Sequence, residues 1–207
     1  MSTKAKASKA SQRGSRHLLR RLLGDRRGGT AIEFGILALP FFIVVFASIE
    51  TFVAFAGEQL LANATDTLAR KIRTGEITFN QGKSTDMDQA EFRQAFCDEI
   101  AILMTCSATE VDEPEKLYLD VREVADPSEF PVAVPRVDSA ASSDLDTSGF
   151  QFSPGAGKDF TMVRAYYRWQ VITDLVRPYV TNLRPAGSSM PHDYLMVATA
   201  TFRNEDY

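Results

Sequence analysis

The sequence is poor in the residues that usually carry chemistry. It has two cysteines, two histidines and one tryptophan in 207 residues. His17 lies in the basic N-terminal stretch and His192 follows a proline, so neither sits in a Ser-His-Asp pattern, and no serine is framed as G-x-S-x-G. Two cysteines and a distant histidine are too few for an ordinary zinc site. The fragment PGAGKD at 154–159 lacks the first glycine and the Ser/Thr of a phosphate-binding loop and reads as a turn. No catalytic set, no metal site and no cofactor is expected, and nothing repeats at the 20–50-residue scale.

Charge is scarce in one place. Phe34 to Ile49 is a sixteen-residue run without a charge, bounded by Glu33 and Glu50, and no Lys or Arg occurs between Arg27 and Arg70. A bilayer core of ~30 Å takes roughly 20 helical residues, which residues 30–49 supply. A soluble amphipathic helix would break this run with a polar face, and none is present. Residues 1–28, by contrast, hold nine basic side chains against Asp25 alone, while the remainder holds 14 basic and 26 acidic. Such an arm could bind nucleic acid, but beside an apolar span its roles are orientation and presentation to a protease, with the arm cytoplasmic and residues 51–207 on the other side. Membrane lipid is therefore an expected partner and nucleic acid is not. Val53-Ala54-Phe55-Ala56 offers a small-x-small site for ordinary signal peptidase, disfavoured because helical patterning continues through it.

Inside the span, Pro40 removes one backbone donor and predicts a kink. Glu50 falls where the helix leaves the hydrocarbon and reads as a solvated interfacial carboxylate. Glu33 sits at the cytoplasmic edge, where it either snorkels to the headgroups or meets a positive partner supplied by another chain.

Gly57, Leu61, Ala64, Leu68 and Ile72 then recur at spacings of three and four, predicting one helix over about 30–74 that stops at Gly75 after Arg70, Lys71 and Arg73. Phe92, Ala95, Phe96, Glu99, Ile100 and Leu103 predict a second helix over about 86–103. Cys97 and Cys106 frame its end. Outside the cytoplasm they read as one disulfide worth on the order of 2–3 kcal/mol, the alternative being two buried thiols. Strands follow near Leu117–Val121, over 160–173 and over 194–203, with Val163, Ala165, Tyr167, Trp169 and Val171 on one face and Arg164, Arg168 and Gln170 on the other. The Pro-, Ser-, Asp- and Gly-rich stretch 127–158 reads as a long exposed loop. The fold expected is α+β: a long N-terminal helix, transmembrane and then amphipathic, on a small, mainly antiparallel sheet. The expected divisions are a leader over 1–28, a span over 29–50, an amphipathic continuation over 51–75 and an extracytoplasmic domain over 76–207.

The run Arg26-Arg27-Gly28-Gly29-Thr30-Ala31-Ile32-Glu33-Phe34 resembles a prepilin signal, with cleavage between Gly28 and Gly29 making Glu33 and Phe34 the fifth and sixth mature residues. Together with LPFFIVVF, FCDEIAILMTC, FSPG, VRAYYRW and the ending ATATFRNEDY, the order of motifs is similar to the TadE-like group of pilus-assembly proteins. The two adjacent glycines leave the scissile bond open by one residue. The resemblance implies a type IV pilin-like shape and a minor pseudopilin of a Tad (Flp-type) pilus in the bacterial inner membrane, acting in pilus biogenesis, surface adherence and biofilm formation. It also implies a periplasmic domain, and it implies that Glu33 receives the new α-amine of a neighbouring subunit. Prepilin peptidase, other pilins and pseudopilins, and inner-membrane assembly proteins are the partners implied. An uncleaved, membrane-anchored periplasmic binding module is the rival reading, and an enzyme is not expected.

Overall fold

The computed structural model describes residues 29–173 and 177–207. The basic leader, with Gly28, lies outside the described residues. The chain divides into two units, Met1–Phe46 and Ala47–Tyr207.

Helix α1 (Gly29–Arg73) is the long element expected from the apolar run and the spacing that follows it. From Gly57 onward its buried residues are Gly57, Leu61, Ala64, Thr65, Leu68, Ala69 and Ile72, one stripe at three- and four-residue intervals. The stop is at Gly75, whose φ of +75° suits glycine. A Cβ there would lie 2.5 Å from the Tyr207 ring, so this glycine also makes room for the packed aromatic.

Asp86 organises the turn that follows. It accepts from Thr78 Oγ1 at 2.6 Å and from the amides of Gln81 and Lys83. Helix α2 (Gln89–Ile100) opens with a capping box in which Asp88 accepts the Glu91 amide and Glu91 accepts the Asp88 amide. The helix ends at Ile100, earlier than expected. Leu103 is outside it and partly exposed, and Met104 fills the core instead. Cys97 and Cys106 form a disulfide.

The sheet has the order β2-β1-β3-β4, with β1 (Leu117–Val124), β2 (Phe152–Ser153), β3 (Phe160–Gln170) and β4 (Asp193–Arg203). β1 pairs with β2 in parallel, and the other two pairings are antiparallel. The main core lies between the helices and one sheet face. Leu61, Leu68, Ile72, Phe92 and Phe96 meet Leu119, Val121, Val163, Tyr167 and Met196 there, with Trp169 at its margin. The architecture is the expected α+β arrangement.

One expectation is corrected in part. The stretch 127–158 is irregular and in large part exposed, as expected, but not throughout, because part of it covers the second face of the sheet. Phe150 stacks on Tyr166 with ring centroids 5.0 Å apart, and Leu145 joins a second core with Tyr166, Leu183 and Leu195. The "polar" face of β3 supplies the anchors. Arg164 donates to Thr199 Oγ1 and to the carbonyls of Pro131 and Ala133, and Arg168 pairs with Asp144 at 2.8 Å. The buried Arg164 guanidinium is tolerated because its nitrogens find a hydroxyl and two carbonyls, while half-buried Arg168 meets the Asp144 carboxylate through one terminal nitrogen and leaves its Nε without a partner. A short helix α3 (Arg177–Val180) was not anticipated.

Candidate functional site: the apolar helix and the anchors of the domain

Within the first unit, Gly29 is the first residue of α1, and Glu33 follows one turn later on the same helix face. Glu33 is exposed and makes no ion pair among the described residues. Phe34, Ile36, Leu37, Phe41 and Phe46 are all more than half exposed. Such an apolar surface is satisfied by lipid or by other helices and not by water. The helix continues through Pro40 without a break. It is the one helix among the described residues long and apolar enough to cross a membrane.

Within the second unit, two carboxylates on α1 tie it to the sheet. Glu50 accepts the amides of Ile172 at 2.6 Å and Thr173 at 3.1 Å, holding the segment that leaves β3. It is therefore a structural latch, and the solvated role expected of it is corrected. Two turns further along, Glu58 accepts the Tyr194 hydroxyl at 2.6 Å. This bond, then partial burial, pushes the Tyr194 phenol up to about 12. Between the two latches lies a cavity of about 350 Å³ lined by Ala54, Phe55, Trp169, Val171 and Tyr194, predominantly apolar. Gly57 sits beside it because a Cβ there would come within 3.3 Å of Met196.

Residues 28–70 match the TadE-like protein family. The match takes in the glycine pair, Glu33, Phe34, Pro40 and both latch carboxylates, and it stops within the last turn of α1. It agrees with the resemblance drawn from the prepilin-like run and points to a role related to Tad pilus assembly, in company with other pilus proteins. The rest of the domain, from residue 71 to the C-terminus, lies outside the TadE-like match. No curated protein and no solved structure matches the chain.

Sequence reasoning missed Glu110. This carboxylate is fully buried and accepts the amides of Glu115, Lys116 and Leu117 at 2.7–2.9 Å, fixing the entry to β1. Arg93 is also buried and donates to the Val111 carbonyl. Burial pulls its guanidinium below the usual value, against the field of Glu110 and Asp112. Nothing local in the sequence marks either residue. His192 bonds its own neighbour, Asp193, at 2.6 Å.

Proposed function

We propose that this chain is a minor pseudopilin of a Tad (Flp-type) pilus machine, held in the bacterial inner membrane by residues 29–50 with its folded domain in the periplasm. The reading rests above all on one arrangement. A glycine pair precedes a helix whose apolar first part carries an exposed carboxylate, Glu33, one turn in, followed by Phe34, and the same helix goes on into a folded domain. Prepilin peptidase acts at Gly28-Gly29, and the α-amine it frees pairs with Glu33 of a neighbouring pilin or pseudopilin. In hydrocarbon, an unpaired carboxylate is costly, so such a pair sets the axial register between subunits. The basic leader keeps the N-terminus cytoplasmic. The chain performs no chemistry of its own and acts through assembly, and so in adherence and biofilm formation.

The deciding experiment is the intact mass and N-terminal sequence of the protein from membranes with and without the host's prepilin peptidase. A chain beginning at Gly29 only when the peptidase is present is the expected result. A full-length chain in both backgrounds would leave an uncleaved anchor bearing a periplasmic binding module and would remove the amine partner of Glu33.

A further inference from the structure

The two edges of the sheet are finished differently. The β2 edge is two residues long and is followed at once by Pro154, which has no amide hydrogen to offer. The β4 edge runs for eleven residues, in unbroken register with β3 from Phe160↔Arg203 to Gln170↔Asp193. The backbone polarity of β4 follows from three bonds. Asp193 donates away from β3 to the Leu183 carbonyl, and Leu195 donates away from it to Asn182 Oδ1 at 2.7 Å, whereas Asn204 donates inward to Asp159. Alternation along an antiparallel strand then turns the amides and carbonyls of Val197, Thr199, Thr201 and Arg203 outward. All four residues are exposed, and no strand pairs with their outer side among the described residues. The chain closes the start of this edge itself, at Leu183 and Asn182, and among the described residues the remainder is open.

The open part carries a charge only at its end, on Arg203. From Tyr194 to Phe202 there is no charge, proline or glycine, and the register contains no bulge. Natural edge strands normally carry one of these devices against pairing. We infer that the outer edge of β4, Val197–Arg203, is a docking site for an extended, uncharged segment of a different polypeptide, which adds to the sheet as a fifth strand. The four outward residues supply four amides and four carbonyls. Val197, Thr199 and Thr201 favour β-branched neighbours opposite them.

A second copy of this chain, paired antiparallel through the same edge, is the wrong occupant for a geometric reason that rests on the membrane-anchored reading above. Antiparallel pairing of two β4 strands places a two-fold axis perpendicular to the sheet. Helix α1 lies along the sheet and runs in the same direction as β4: Glu58 is bonded to Tyr194 near the start of the strand, and the Arg73 carbonyl accepts the Glu205 amide beyond its end. That axis would reverse the Glu58–Arg73 stretch of one copy relative to the other, so the two chains would enter the joined sheet from opposite ends, which one membrane surface does not serve.

The test uses the full-length protein in its native membranes. Hydrogen exchange is followed over 193–204, and a photo-cross-linker is placed at Thr201 in separate samples. The Val197, Thr199, Thr201 and Arg203 amides should exchange at least about tenfold more slowly in membranes than in detergent-purified protein. The cross-link should go to a strand of another polypeptide. Val197→Pro, which removes an outward amide hydrogen and none of the β3 ladder, should abolish both effects. Val197→Thr should keep them, and retained protection at Met196 and Ala198 shows that each variant is folded. Equal exchange in the two preparations, or cross-links only between copies of this chain, would overturn the inference. If exchange is equal while pili still require the protein, only this inference falls. If pili form normally without the protein, the assembly reading falls, and the exchange comparison still decides the edge.

Discussion

The Tyr194 hydroxyl donates to Glu58 across 2.6 Å, joining helix α1 to the first residues of β4. The phenol, raised to about 12 chiefly by this bond, holds its proton longer in the folded protein than in the unfolded chain, where its value is near 10. A raised folded value contributes stability that is complete below pH 10 and is lost as pH climbs through about 12. Alkaline unfolding of the detergent-solubilised protein should therefore steepen over that window. Tyr194→Phe should flatten it and cost about 1–2 kcal/mol at neutral pH.

Glu110→Ala should be among the most damaging single changes. It strips the acceptor from three amides, two of them part-buried and that of Leu117 buried, and removes the larger of the two carboxylate fields that favour the Arg93 charge. A loss of about 3 kcal/mol is expected, read from denaturant unfolding at unchanged slope. A change below 0.5 kcal/mol would show that water readily replaces the carboxylate.

Gly75→Ala should destabilise by about 1–3 kcal/mol, because the φ of +75° strains any side chain and the new Cβ would strike the Tyr207 ring. Pairing it with Tyr207→Ala should recover the steric part and leave the backbone part, which a double-mutant cycle separates.

Glu50→Ala should release the segment after β3. The Ile172 and Thr173 amides, both bonded to the Glu50 carboxylate, should lose their exchange protection, while the β3–β4 ladder keeps its own. Unchanged protection at both amides would mean that the latch is not formed in solution.

The oxidised protein should be lighter by two hydrogens than its reduced form. Replacing Cys97 and Cys106 by serine should lower stability by about 2–3 kcal/mol, the entropy of the short loop they close. If thiol labelling of native protein modified both cysteines, the bridge would be absent in the cell.

Much of the fold was legible because it depends on period and punctuation. Helix α1 is written in an uncharged run and then in a three-four spacing, and Gly75 after three basic residues marks its end. β3 and β4 are written in alternation. Alternation, however, tells only that the two faces of a strand differ. It set Arg164 and Arg168 on the face opposite the apolar residues, and the 127–158 stretch folds back to give both side chains partners there. The composition of that stretch, rich in Pro, Ser, Asp and Gly, described its irregular backbone and most of its exposure, and missed the part where Leu145 and Phe150 pack on the sheet.

The candidate site divides in the same way. Gly29, Glu33, Phe34 and Pro40 could be picked out because their meaning lies in position along one helix, which is local. Glu50, Glu58 and Glu110 could not, because their partners are residues 172–173, residue 194 and residues 115–117. By itself the sequence determined an apolar helix of membrane-crossing length, the sign of the charge before it, and the elements that follow. Only the tertiary structure decided which carboxylates are latches, which face of the sheet is covered and which edge stays open, because each of these depends on long-range contacts between segments that no local pattern specifies.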